Sequence, residues 1–273
     1  MHGYRRVHRW RARHRRSHSR ATQSLRRLGQ HFLTDPRILA RIVDALDPVP
    51  GETVLEIGPG KGTLTRELLA RGLRVVAIEK DPVLARALSQ ENLQVIAGDA
   101  LKLVWPRVAK VVGNIPYYIT SPLIDTALTP PLPERVVFLM QAEVADRLAA
   151  GPGSKTYGAL SVGVQAVARV EKLFNIAAGA FRPPPKVGSS VVRLLPLSEP
   201  LVQPDEIGAF RTFVTACFGR RRKQLKNVIP GITAEDLREL GLDPQTRPER
   251  LAPEAFVQLM RFLRKPLRRG PPL

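Results

Sequence analysis

The sequence predicts an α/β protein: a doubly wound open-sheet domain followed by a small all-helical C-terminal domain. Three observations point there. Short apolar runs rich in Val, Ile and Leu alternate with amphipathic stretches of helical period through the first half of the chain. The runs are apolar at successive positions, as strands covered on both faces are, so the sheet is parallel with helices on each side. The final stretch, roughly a quarter of the 273 residues, has helical patterns only.

The elements follow in order. In "LGQHFLTDPRILARIVDAL", Thr34 or Asp35 can cap a helix that has Pro36 in its first turn, with Ile38, Leu39, Ile42, Val43 and Leu46 on one face. "TVLEIG" is a strand running straight into glycine, and "TLTRELLARG" is a helix ended by Gly72. "RVVAIEKD" is a second strand, "PVLARALS" a helix, "LQVIAGD" a third strand, "KVVGN" a fourth and "RVVFLMQ" a fifth, followed by the helix "AEVADRLAA". "AGPGSKTYG" is a loop, "FRPPPKVGSSVVRLLPL" joins a proline-stiffened segment to another strand, and "LSEPLVQPDE" is a linker. "IGAFRTFVTACF", "AEDLREL" and "PEAFVQLMRFLRK" are helices. The expected organisation is a basic, disordered arm over 1–28, the α/β domain over 29–198 and the helical domain over 199–273.

Hydrophobic content of 44% and charged content of 25% exclude a disordered chain. No apolar run approaches the roughly 20 residues that span a bilayer, so no membrane partner is expected. The lone cysteine, Cys217, excludes a disulfide framework or cysteine zinc site, and it fits a reducing compartment. A cytoplasmic monomer is the expectation, with no metal. The net charge is +19 and unevenly placed: residues 1–28 hold ten arginines and no acid, leaving 33 Lys and Arg against 24 acidic residues. A polyanion partner follows, nucleic acid first. The arm reads as an RNA-gripping tail or as an extension from an upstream start codon. Its Arg-rich, acid-free composition also resembles an organelle transit peptide.

The chemistry gathers where strands end, which is where open α/β sheets bind ligands. "EIGPGKG" sets Gly58, Gly60 and Gly62 between a strand and a helix, with Glu56 two residues ahead of Gly58. Glycine there permits a sharp turn and close approach of a ligand. The spacing does not suit a pyrophosphate. Glu79, at the end of the second strand, can accept from ribose hydroxyls, and Asp99, at the end of the third, from an adenine amino group. Together they predict an adenosine ligand without phosphates, and S-adenosylmethionine is such a ligand. "GNIPYYIT" closes the fourth strand on the same rim.

The glycine triad, Glu79, Asp99 and Asn-Ile-Pro-Tyr together resemble the amino-methyltransferases. In that chemistry Asn114 and the Ile115 carbonyl accept the two hydrogens of an adenine N6, and Tyr117 stacks on the flipped base; Tyr118 is open between this work and packing. The collinear series "LGQHFLTD", "LEIGPGKGTLT", "IEKD", "GDAL", "GNIPYYITSPLI", "MQAEVADRLAAGPGSKTYGALSV", "FRPPPKVGSSVVRL" and "FGRRRKQLKN" is similar to the ribosomal RNA adenine N6,N6-dimethyltransferase family, over about residues 28–265. The likeness is to its KsgA/Dim1 branch, which acts on two adjacent adenines near the 3′ end of small-subunit rRNA.

The resemblance implies a Rossmann-like S-adenosylmethionine methyltransferase domain. It implies Gln30, His31, Leu33, Gly58, Gly60, Glu79, Asp99, Ala100 and Asn114 at the cofactor. It implies Asn114 and Tyr117 as catalytic, with Phe181 closing the base from the other face; a plain loop anchor is the alternative for Phe181. Arg220, Arg221, Arg222 and Lys223 would contact rRNA, as phosphate contacts or as a merely solvated basic helix face. The implied partners are small-subunit rRNA and the pre-ribosomal small subunit. Two positions depart from the family pattern: His31 stands where asparagine is usual, and Gly188 where aspartate is usual. The competing readings are a large-subunit rRNA adenine N6-methyltransferase and a non-catalytic RNA-binding assembly or transcription factor.

Overall fold

A seven-stranded mixed sheet organises the described residues, 31–264, of the computed structural model. The elements are β1 (Phe32–Leu33), α1 (Pro36–Ala45), β2 (Thr53–Ile57), α2 (Thr63–Ala70), β3 (Arg74–Glu79), α3 (Pro82–Ala87), β4 (Leu93–Ala97) and β5 (Lys110–Asn114). A 3-10 turn, Tyr117–Ile119, leads into α4 (Thr120–Ala127), β6 (Arg135–Gln141), α5 (Ala142–Ala149), α6 (Ala159–Gln165), β7 (Ala168–Ile176), β8 (Phe181–Arg182) and β9 (Ser189–Pro196). The helices α7 (Ile207–Gly219), α8 (Ala234–Glu239) and α9 (Pro253–Arg264) follow. The expected arm lies outside the described residues.

Strand order is β4-β3-β2-β5-β6-β9-β7. β2 to β6 are parallel; β9 runs antiparallel to β6, and β7 antiparallel to β9. The chain moves outward from β2 to β4 and then returns to the other side of β2. The switch point therefore lies between the carboxyl ends of β2 and β5, where such sheets leave a crevice. Successive strand residues point to opposite faces: Leu55, Val111 and Phe138 join one core cluster, and Val54, Val112 and Val137 the other. Both faces are covered. α1 and α2 bury Ile42, Val43, Leu64 and Leu68 on one, while α4 to α6 cover the other.

The five parallel strands and the helices α1, α2, α3 and α5 stand where the sequence patterns predicted them, whereas α4 and α6 were not foreseen. Asp35 is the cap of α1, accepting from the Arg37 and Ile38 amides at 2.9 and 3.4 Å. β7 was not foreseen. Its sequence, ARVEKLFNI, places Arg169, Glu171 and Lys172 among apolar residues, and a bulge at Lys172/Phe174 breaks its alternation. The β1–β8 ribbon was not foreseen either, since two-residue strands leave no periodicity. The expected boundary at 198 falls between β9 and α7. Ile207, Phe210, Val214 and Phe256 share the core cluster of Phe138 and Leu148, so the helices after it extend one face of the sheet's own core.

Candidate active site

The β2–α2 turn builds one end of the crevice. Gly58, Gly60 and Gly62 have φ of +68°, +58° and +73°, values that disfavour any side chain. At Gly60 a Cβ would also come within 2.7 Å of the Phe32 ring. Glu79, 3% exposed, holds this turn from the neighbouring strand: its Oε2 accepts the Gly60 amide at 2.9 Å and its Oε1 the Asp81 amide at 2.8 Å. Each oxygen keeps a lone pair for a further donor. Behind it lies a second carboxylate, Glu56, 1% exposed, accepting from Thr65 Oγ1 at 2.6 Å. Burial, resisted by the Thr65 bond and reinforced by the charge of Glu79, pushes Glu56 up to about 7. Burial raises Glu79 too, against the amide bonds it accepts from Asp81, Gly60 and Lys80. Asp99 behaves oppositely. Lys80 Nζ lies 2.9 Å from its Oδ2 and holds its carboxyl below the usual range.

The other end is assembled from distant segments. β1 pairs with β8, Leu33 opposite Phe181, and the Thr34 amide donates to the Ala180 carbonyl at 3.1 Å. This ribbon brings His31 over the end of β5. Asn114 Nδ2 donates to the His31 carbonyl at 2.8 Å, leaving Asn114 Oδ1 as the acceptor free for a ligand. The His31 ring lies 5.8 Å from that of Tyr117, tilted by 30°. Its Nδ1 is 2.9 Å from the Pro183 carbonyl, an acceptor only, so Nδ1 carries the proton. The Tyr117 hydroxyl meets Ser189 Oγ at 2.6 Å.

One cleft of about 1070 Å3, open mouth included, collects His31, Leu33, Gly58, Gly60, Glu79, Asp99, Ala100, Asn114 and Tyr117 on its walls. Tyr118 is also there, 59% exposed. Gln30 lies outside the described residues. Phe181, the residue expected to close the base, has no exposed surface, belongs to the core cluster of Leu33 and Val191, and is absent from the cleft lining. Pairing with β1 turns it inward. Arg220 to Lys223 sit elsewhere, in the turn after α7 and not on a helix face. Arg221 is paired with Glu249 at 2.9 Å. Sequence reasoning missed Thr65, Lys80 and Ser189 and gave Glu56 no role. All three lie inside motifs it quoted, Ser189 in FRPPPKVGSSVVRL, but nothing local marks Ser189 as the partner of Tyr117, 72 residues away.

The site suits a nucleoside that carries positive charge. Its buried polar groups include the carboxylates of Glu56 and Glu79, whose burial disfavours the charged form, a cost that a bound cation would offset. The glycine turn leaves room that a Cβ would fill. Fold and site together define a Rossmann-like methyltransferase. The profile of the ribosomal RNA adenine dimethylase family matches residues 21–265, and the chain belongs to that family. It is 41% identical over 254 residues to the ribosomal RNA small subunit methyltransferase A of Hahella chejuensis, covering 88% of this chain and 93% of the relative. It is 44% identical over 248 residues to the protein of that name from Pseudomonas putida, covering 86% and 92%. The crystal structure of a dimethyladenosine transferase from Plasmodium falciparum superposes with TM-score 0.76 at 30% identity, over 86% of this chain and 98% of that one. The 23S rRNA methyltransferase ErmE does so with TM-score 0.67 at 30% identity, over 84% and 98%. Among the described residues no helix is long and apolar enough to cross a membrane, and no cluster of three metal-ligating side chains occurs.

Proposed function

We propose that this protein dimethylates N6 of two adjacent adenines near the 3′ end of small-subunit rRNA, using S-adenosylmethionine. It acts in the cytoplasm as a monomer on the pre-ribosomal small subunit. The observation that carries the reading is the Asn114 amide: its nitrogen is committed to the His31 carbonyl, which fixes the oxygen as an acceptor at the end of β5.

The adenine N6 lone pair is delocalised into the ring and is a poor nucleophile. Asn114 Oδ1 and the Ile115 carbonyl accept its two hydrogens and draw the lone pair out of the ring plane. Pro116, at φ −60°, fixes the backbone that follows. Tyr117 offers a face for stacking, worth about 1–3 kcal/mol per base. Burial raises its hydroxyl above the ordinary phenol value, against the Ser189 bond, so Tyr117 stays neutral and is no base. Glu79 accepts from the ribose hydroxyls. Asp99 accepts from the cofactor's adenine amino group, sharing its carboxylate with Lys80. S-adenosylmethionine, when bound, would supply a methyl on a cationic sulfonium whose sulfur departs as a neutral thioether without an acid. The methylated N6, cationic once its lone pair is used, would release its proton to solvent. The residues of the chain therefore contribute mainly alignment, where roughly 7–11 kcal/mol is available in favourable cases.

The test is methyl transfer from labelled S-adenosylmethionine to unmethylated small subunits and, separately, to large-subunit rRNA, followed by mass spectrometry of the nucleosides. Dimethyladenosine confined to the small subunit is the expected result. Methylation of large-subunit RNA would move the protein to the other branch with its chemistry intact. Cofactor binding without transfer to either would leave an RNA-binding factor.

A further inference from the structure

The strand order sets Glu56 between the two ends of the cleft. β2 lies between β3, which ends in Glu79, and β5, which ends in Asn114; Glu56 stands opposite Ala77 of one and Val112 of the other. Its side chain is 1% exposed and reaches the cleft wall. Thr65 Oγ1 donates to its Oε2 at 2.6 Å, and among the described residues its Oε1 accepts no hydrogen bond. The neighbouring Glu79 is buried as well, and accepts backbone amides on both oxygens. Two carboxylates buried in one site repel, and one of them keeps a proton unless a cation joins them. The amide bonds favour charge on Glu79, so the proton falls to Glu56. Its carboxyl, raised chiefly by burial to about 7, agrees. No protein cation restores the balance. Arg66 of α2 is the weakest influence on Glu56, and its Nη1 donates to the Lys61 carbonyl at 3.1 Å. Lys80 and Asp99 are paired with each other at 2.9 Å, and His31 Nδ1 serves the Pro183 carbonyl. Leu39 and Ile42 of α1, on the same lining, carry no charge.

We propose that Glu56 is the residue by which this site tells the sulfonium cofactor from the neutral thioether left after transfer. Glu56 holds a proton in the empty and the product-bound cleft, and yields it to solvent when the sulfonium is bound. The proposal rests on the cofactor reading above. Glu79 holds the ribose and Asn114 the acceptor nitrogen, so the sulfonium that links one to the other falls over β2, the strand between them. A carboxylate on that strand meets a positive charge that is present before transfer and gone after it. On transfer the N6 lone pair forms the new bond to the methyl, and the old bonding pair stays on sulfur. N6 then loses its proton to solvent and Glu56 takes one up, so charge and protons balance across the step. The linkage has a sign. Below its window Glu56 must first lose a proton, so affinity for the sulfonium rises with pH, by up to about tenfold per unit, and levels off once Glu56 is ionised. Affinity for the thioether carries no such slope.

The experiment is calorimetry of S-adenosylmethionine and S-adenosylhomocysteine binding to the full chain, repeated in buffers of different ionisation enthalpy so that protons are counted. With S-adenosylmethionine the wild type should release nearly one proton at about pH 6, about half at about pH 7 and about a tenth at about pH 8. With S-adenosylhomocysteine it should release far less. Glu56→Gln should lose this release, and with it the pH-dependent rise in preference for the sulfonium; taking the difference from wild type cancels any titration of the ligands themselves. Thr65→Val keeps the carboxyl but removes a hydrogen bond that favours its charged form. It should release more protons than wild type at about pH 7, a gain that damage to the fold does not produce. Equal release by wild type and Glu56→Gln would overturn the proposal. So would equal release with the two ligands, which would assign Glu56 to a charge they share. Failure of S-adenosylmethionine to bind would sink the cofactor reading and the proposal with it. Tight binding with a preference over S-adenosylhomocysteine that is flat in pH would sink the proposal alone.

Discussion

At the cofactor end of the cleft the contacts are local: Glu79 takes amides 2 and 19 residues away, and Thr65 reaches Glu56 across 9. At the base end they are long: 83 residues separate Asn114 from His31, 72 separate Tyr117 from Ser189, and 152 separate His31 from Pro183. The first end comes into being whenever β2 and β3 pair. The second exists only after the N-terminal ribbon has docked on β8 and β9 has closed on β6. Cofactor binding and base positioning are therefore separable by mutation, although they share one cleft.

Asn114→Ala should show the separation most strongly. Removing a preorganised acceptor of this kind costs about 100- to 1000-fold in kcat. Cofactor affinity should weaken far less, because Glu79 and the glycine turn remain. Single-turnover transfer and calorimetry together decide this. Parallel losses in both would mean that the two ends are one site.

Glu56 tests the cofactor end alone. Its carboxyl is raised from 4.5 to about 7 in the folded protein. Between those values the native state holds a proton that the unfolded chain releases. Its contribution to stability therefore falls as pH rises through that window and levels off above it. Glu56→Gln keeps an acceptor for Thr65 and removes the slope, gaining up to about 3 kcal/mol above the window. Urea unfolding of both proteins at several pH values isolates Glu56 as their difference. A pH-independent difference would show that the carboxyl is not desolvated.

Gly60→Ala acts where the two ends touch, since the new methyl meets Phe32 of the ribbon at 2.7 Å. Backbone strain at φ +58° should cost about 1–3 kcal/mol. Cofactor affinity should fall with it, and displacement of Phe32 should lower kcat as well. Weaker binding with an unchanged kcat would show the ends to be more independent than their contact suggests.

The same contrast governs what was legible in the sequence. Strand-end carboxylates and the glycine triad are local patterns, and Gly58, Gly60, Glu79 and Asp99 line the cleft as their positions predicted. The parallel strands were legible because burial on both faces leaves uninterrupted apolar runs. β7 was not, because a mixed, partly exposed strand has no such run. Ser189 and the His31 carbonyl were invisible because nothing in their neighbourhoods marks a partner many tens of residues away. The burial of Phe181 was invisible for the same reason: a two-residue ribbon decides which way its ring faces.

Ser189 gives the finest test of the long-range end. Its hydroxyl is fully buried and has the Tyr117 hydroxyl as its ring-side partner at 2.6 Å. If that bond orients the stacking ring, the two groups act as a unit. Tyr117→Ala, which deletes the ring, sets the upper scale at about 1–3 kcal/mol in kcat/KM. Tyr117→Phe and Ser189→Ala should each cost about 0.5–1.5 kcal/mol, and the double variant no more than the larger single. Residues in contact give such non-additivity, and independent ones do not. Cofactor affinity should be unmoved in all three, because neither hydroxyl belongs to the local end. Additive losses would assign Ser189 a separate role in packing β9 against β6. A loss in Tyr117→Phe as large as in Tyr117→Ala would mean that the hydroxyl, and not the face of the ring, holds the base.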